Sequence, residues 1–201
     1  LGDITQYGYD AANQPEEAAG EWELAKKILT HKQFVFIKGN HEDMNIQEYI
    51  RFKHGGGIPG RYDGEDTFRA IVRDPYADKW LSYIDNLPLH FTYYNKQGEA
   101  VLLSHAGYTP IITELEKHDL LWNRHHFRDK WPDEPGRRKV VVHGHTCVQS
   151  LARYQEFEDA ANHIGAYHYC NGKKVNIDNG VFLTGRSVLL NLDTWEDNDS
   201  I

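Results

Sequence analysis

Cysteine is scarce in this 201-residue chain, which carries two, Cys147 and Cys170. Two are too few for a disulfide framework, and these lie too far apart in sequence for a metal knuckle. A reducing, cytoplasmic setting follows as the expectation. Long apolar runs are missing as well. No stretch approaches about 18 consecutive apolar residues, which excludes a membrane-spanning helix. No signal peptide or lipidation motif is visible. Basic residues are outnumbered, with 22 Lys and Arg against 30 Asp and Glu and a formal net charge of −8. A surface of that sign does not displace counterions from a phosphate backbone, so sequence-independent nucleic-acid binding is excluded. Repeats, low-complexity tracts and long linkers are absent. The length suits one domain, taken as residues 1–194, with 195–201 as an acidic tail at a terminus expected to fray from Asp193 onward. What the chain has in abundance is histidine, 12 in all.

Local patterns predict an α/β protein with a mixed sheet. Pro15 suits a first helical position, Glu16 and Glu17 the positive end, and Lys26, Lys27 and Lys32 the negative end. A helix from about Pro15 to Thr30 is therefore expected, with Ala18, Trp22, Ala25 and Leu29 as its buried stripe. Helical periods recur around Ile46 to Phe52 and Tyr76 to Ile84. Phe34-Val35-Phe36-Ile37, Val101-Leu102-Leu103 and Val140-Val141-Val142 are short continuous apolar runs that read as strands covered on both faces. A hairpin is expected about Asn95 to Gly98, between Phe91–Tyr94 and Ala100–Leu103. Val175 to Asp178 and Ser187 to Leu192 read as strands joined by a glycine-containing turn around Gly180 to Gly185.

Chemistry gathers where these runs end. Phe34–Ile37 leads into Gly39-Asn40-His41-Glu42, Val101–Leu103 into His105-Ala106-Gly107, and Val140–Val142 into His143-Gly144-His145-Thr146. Leu1-Gly2-Asp3 reads as the tail of a fourth such strand. Ligands of open α/β sheets collect at the carboxyl ends of strands, so Asp3, Asn40, His105 and His145 are expected to converge. A carboxylate, an amide oxygen and two imidazoles form a mixed O/N set suited to Mn, Fe or Zn.

This ordered series resembles the calcineurin-like metallophosphoesterases, in particular their bacterial and phage phosphoprotein-phosphatase branch. His118-Asp119-Leu120-Leu121-Trp122-Asn123-Arg124 and Val175-Asn176-Ile177-Asp178-Asn179-Gly180 are similar to further segments of that branch. The resemblance implies a four-layer α/β/β/α sandwich and a phosphatase that cleaves phosphomonoesters by attack of metal-bound hydroxide. Phosphoserine and phosphothreonine proteins are the leading substrates it implies. Dinucleoside polyphosphates and nucleic-acid ends are alternatives, and a non-catalytic metal- or phosphate-binding module is the alternative of another class. It implies Asp3 as the carboxylate bridging two metals, with Asn40, His105 and His145 completing the second metal's shell. His41 would be the general acid, and Arg124 would grip phosphate oxygens through a bidentate guanidinium. The expected ion is Mn, with Fe or Zn as alternatives.

Two positions depart from the family pattern. Its opening Asp-x-His is not found in this chain, and Leu1 falls midway through the second motif. One ion is therefore expected here, against two in a complete protein, with self-association at an exposed sheet edge. The second motif also reads Gln6, Tyr7 and Gly8 where the branch carries Asp, Arg and Gly; Asp10 is the nearest replacement carboxylate. Each site residue has a plainer reading too: a hydrogen-bonded core histidine for His105 and His145, a solvent-facing side chain for His41, a turn residue for Asp3. For Arg124 it is a solvated member of a basic cluster with His125, His126 and Arg128. Trp22, Trp80 and Trp122 read as core. His143, two residues before His145, can share its facing.

Overall fold

A computed structural model describes residues 15–58, 65–108, 117–128 and 139–200. They form two compact units divided between Pro88 and Leu89.

The first unit is helical. Its elements are α1 (Pro15–Leu29), α2 (Asn40–Lys53), α3 (Glu65–Arg73) and α4 (Ala77–Asp85). Trp22 and Leu29 from the expected stripe of α1 are buried with Ile46, Ile71, Ala77, Leu81 and Ile84, so all four helices share one apolar core. A polar tie fixes α1 from the side. Asp74 accepts from the Trp22 indole at 2.7 Å, from Lys26 Nζ at 2.7 Å and from the Tyr76 backbone at 2.8 Å. Burial by itself would raise the Asp74 carboxyl, but these donors outweigh it and hold the group below its ordinary value.

The strand expected at Phe34–Ile37 does not form. The segment carries no regular secondary structure and has no ladder partner among the described residues, and Phe34 and Val35 stand exposed while Ile37 is buried. An apolar run becomes a strand only when a neighbour takes its backbone bonds. Here Lys38 does the anchoring instead. Its N–H donates to the Pro88 carbonyl at 2.9 Å, and its Nζ reaches the Asp85 carbonyl and Oδ1 at 2.7 and 2.8 Å.

The second unit is built on a five-stranded mixed sheet. Its strands are β1 (His90–Tyr94), β2 (Ala100–Ser104), β3 (Lys139–His143), β4 (Tyr167–Tyr169) and β5 (Lys174–Asn176), in the order β1-β2-β3-β5-β4. The β1–β2 hairpin turns at the expected place, and β2, β3 and β5 run parallel. Alternation sorts the sheet's two faces. Val101, Val140, Val142 and Val175 point to one face, where Val188, Leu190, Leu192 and Trp195 pack on them. Val188 and Leu190 belong to β6 (Ser187–Leu190), which pairs antiparallel with β7 (Asp197–Ser200). The terminus expected to fray is thus partly a strand, because its backbone finds a partner in β6. Nor do β5 and β6 form one hairpin: α6 (Val181–Thr184) lies between them, and they belong to different sheets.

The opposite face carries His143, Lys174, Asn176 and Tyr169. It is covered by 3₁₀ segments at Val148–Arg153 and Gln155–Asn162, with Phe127, Val148, Leu151, Phe157, Tyr167 and Tyr169 as the apolar filling. Mixed α/β architecture is as the sequence predicts.

Candidate metal centre

The carboxyl ends of β2 and β3 lie side by side because the two strands are parallel neighbours in register, Leu103 opposite Val142. His105 follows β2 directly, and Gly144-His145 follows β3. The two loops are tied together, with the Gly144 N–H donating to the His105 carbonyl at 2.8 Å. His105 Nε2 then faces His145 Nδ1 at 3.1 Å, the ring centroids being 4.9 Å apart. At 3.1 Å the two rings are within hydrogen-bond distance of each other, and the same closeness is what two imidazole ligands facing one divalent cation would require. His105 is buried at the head of a tight loop, so it presents one nitrogen edge rather than a mobile ring.

Backbone conformation at His145 is unusual. Its φ is +67°, rare for a residue with a β-carbon, and the Thr146 N–H donates to the Gly144 carbonyl at 2.8 Å. An i to i+2 bond across a positive-φ residue is the rarer, strained hand of γ-turn. Strain of that kind persists only where the surroundings over-determine it. They do so here. Asn176 Nδ2 donates to the Thr146 carbonyl at 2.8 Å, and Arg124 Nη1 donates to the His145 carbonyl at 3.1 Å and to Thr146 Oγ1 at 2.8 Å. Trp122 stands edge-on to the His145 ring, centroids 6.0 Å apart.

Arg124 thus serves the turn with one nitrogen. Nε and Nη2 make no hydrogen bond with the described residues and remain available to an anion. Arg124 comes to this place because α5 (Lys117–Trp122) is tied to the first loop, the Ala106 N–H donating to the Leu120 carbonyl at 2.8 Å. Gly107 completes that loop. Its φ is +107°, and a β-carbon there would lie 2.4 Å from His126 Nε2. Only glycine meets both conditions.

Behind the turn sits a buried polar layer. His143 Nε2 is 2.7 Å from the Tyr169 hydroxyl and Nδ1 is 3.1 Å from the Gly144 carbonyl. Burial pushes the His143 imidazole down to about 3; the bond to Gly144 opposes this, and the Lys174 ammonium adds to it. Burial, and then the facing His143, hold His126 well below the ordinary imidazole range. Lys174 is itself fully buried and donates to the His126 carbonyl.

Asn40 and His41 are found in the first unit, as the first two residues of α2. Gly39 precedes them in extended conformation, with its N–H donating to Glu42 Oε2 at 2.8 Å and its carbonyl accepting from Asp43 at 3.3 Å. Glu42 so closes the helix start, as a residue at this position does in a capping box. Asn40 is buried and His41 half-buried. Asp3, Gln6, Tyr7 and Asp10 lie outside the described residues. Of the predicted site, the structure brings together His105, His145 and Arg124. Among the described residues no group of three or more His, Cys, Asp or Glu is arranged to hold a metal.

The sequence reading did not single out Asn176 or Thr146 as supports of the turn. Asn176 was signalled by a polar residue in an apolar strand, on the face opposite Val175. Trp122, read as core, is half-buried against His145.

Comparison with known families fixes the class of chemistry as hydrolysis of phosphoric esters. Residues 1–181 match the family described as calcineurin-like phosphoesterase, nine-tenths of the chain, and the protein belongs to that family. Its members are in general metal-dependent phosphoesterases with two metal ions. Among curated proteins no individual relative matches the chain. No helix among the described residues is long and apolar enough to cross a membrane.

Proposed function

We propose that this phosphoesterase removes phosphate from phosphomonoesters, with phosphoserine and phosphothreonine proteins as the leading substrates. The observation that carries the reading is the His105–His145 nitrogen pair at adjacent parallel strand ends, bracketed by a guanidinium whose Nε and Nη2 bond to none of the described residues. His105 and His145 would hold one divalent ion, with Asn40 and Asp3 as the further ligands the family pattern implies. An O/N set of this kind suits manganese. When bound, the metal supplies a water of lowered pKa and a positive charge on the phosphate oxygens.

The chain's own groups do the rest. Arg124 Nε and Nη2 form a planar edge that matches two phosphate oxygens, while Nη1 keeps the guanidinium registered on the His145 turn. His41 hands a proton to the leaving alkoxide. The partner this requires is a phosphorylated protein or a small phosphoester, and the net charge of −8 argues against a polyanionic one.

The test is turnover of p-nitrophenyl phosphate and of a phosphoserine peptide, using protein expressed from the entire reading frame and loaded with Mn²⁺. A chelator should abolish activity, and His41→Ala should lower kcat by roughly 10²–10⁴-fold with metal binding retained. Unchanged turnover in His41→Ala would remove that residue from the chemistry. Turnover unaffected by chelation would remove the metal.

A further inference from the structure

A strained turn raises the question of what stops the Gly144–His145 peptide from flipping to relieve a φ of +67° at His145. The Gly144 carbonyl has two lone pairs and uses both. One accepts from Thr146 across the turn, and the other faces His143 Nδ1 at 3.1 Å. A carbonyl only accepts, so Nδ1 carries the ring's proton and Nε2 is the acceptor. The Tyr169 hydroxyl, 2.7 Å away, donates to Nε2 and fixes the ring from its far side. His126 and Phe127 pack against the same ring, with centroids 4.5 and 5.7 Å from it. His143 is fully buried, so water cannot substitute for either bond.

We propose that the buried His143–Tyr169 pair is a positioning device that locks the Gly144 carbonyl, and through it the orientation in which His145 is presented as a ligand. The inference rests on the reading of His145 as a metal ligand. His143 touches neither metal nor substrate. It acts on the peptide next to the ligand, in the way groups behind a metal site orient the residues that bind it.

The two ring nitrogens can be tested separately. In His143→Asn the side-chain amide falls where Nδ1 was and keeps a donor for Gly144. In His143→Gln it falls where Nε2 was, keeping Tyr169 and losing Gly144. Mn²⁺ affinity is measured by calorimetry on wild type, both variants, Tyr169→Phe and His145→Ala, with melting temperatures recorded alongside. His143→Asn should stay within about 3-fold of wild-type affinity, while His143→Gln should weaken it roughly 10–100-fold at a similar melting temperature. Tyr169→Phe, a conservative change that leaves the ring, should fall between them.

Equal affinity in the Asn and Gln variants would overturn the proposal, as would affinity that follows melting temperature across the set. His145→Ala separates the two levels of the argument. If it leaves Mn²⁺ binding unchanged, His145 is not a ligand and the underlying reading fails with the proposal. If it abolishes binding while Asn and Gln behave alike, only the positioning role fails.

Discussion

Replacing Gly107 with alanine should disturb the His105 loop strongly. Two costs combine. A residue with a β-carbon at φ +107° is strained by about 1–3 kcal/mol. The added carbon would also meet His126 Nε2 at 2.4 Å, Cε1 at 2.5 Å and Cδ2 at 2.9 Å, with His126 fully buried and unable to swing aside. Overpacking of that kind costs typically 1–3 kcal/mol, which brings the total to about 2–6 kcal/mol. At 4 kcal/mol the melting temperature of a chain this size falls by roughly 8–16 °C. Gly98 supplies the control, since its φ is +77° and no atom lies within 4 Å of its built β-carbon. Gly98→Ala should therefore cost about 1 kcal/mol, the conformational part alone. Denaturant unfolding of both variants separates the contact from the backbone. A double-mutant cycle completes the test, because His126→Ala opens the space and should recover about 1–2 kcal/mol of the Gly107→Ala cost. Equal destabilisation by the two glycine replacements, or no coupling to His126, would refute the reasoning.

Three further outcomes are expected. Asp74→Asn should cost the first unit about 2–4 kcal/mol, since a mostly buried carboxylate accepting from Trp22, Lys26 and Tyr76 is replaced by a neutral group. The Asp74 carboxyl is held below its unfolded value, so its contribution is complete above about pH 4 and is lost as the pH falls further; the acid slope of stability should flatten in the variant. Tyr167 works in the opposite sense. Burial, and then the 2.7 Å bond to Asp159, push its phenol up to about 12, so its stabilisation is present below about pH 10 and disappears as the pH rises toward 12. The ultraviolet titration difference between wild type and Tyr167→Phe should show that late ionisation. Asn176→Ala strips the Thr146 carbonyl of a buried donor, and calorimetric unfolding should show a loss of about 1–3 kcal/mol.

Elements with strong local signals were legible in the sequence. Pro15, the paired glutamates and the terminal lysines mark α1, and its observed end at Leu29 is one residue short of expectation. Val101–Leu103 and Val140–Val142 gave β2 and β3 because continuous apolar runs survive only where both faces are covered. Phe34–Ile37 has the same composition and is not a strand, since composition cannot supply the neighbour a ladder requires. At Asp197–Ser200 a polar tetrapeptide pairs with β6, where backbone partnership overrides a weak propensity. Within the site, His105 and His145 were legible from glycine-flanked histidines after buried runs. The γ-turn at His145 was not, because its positive φ is imposed by Asn176, Arg124 and Gly144, residues scattered across the sequence. Arg124 was singled out in the sequence as a phosphate-gripping candidate, but its use of Nη1 to hold Thr146 was not legible.

The central claim is that one divalent ion is held by both His105 and His145. Pulsed electron paramagnetic resonance of the Mn²⁺-loaded protein reads nitrogen nuclei bound directly to the ion. Couplings from two imidazoles are predicted, with one remaining in His105→Ala and one in His145→Ala. A spectrum without nitrogen coupling, or one that neither substitution alters, would contradict the account.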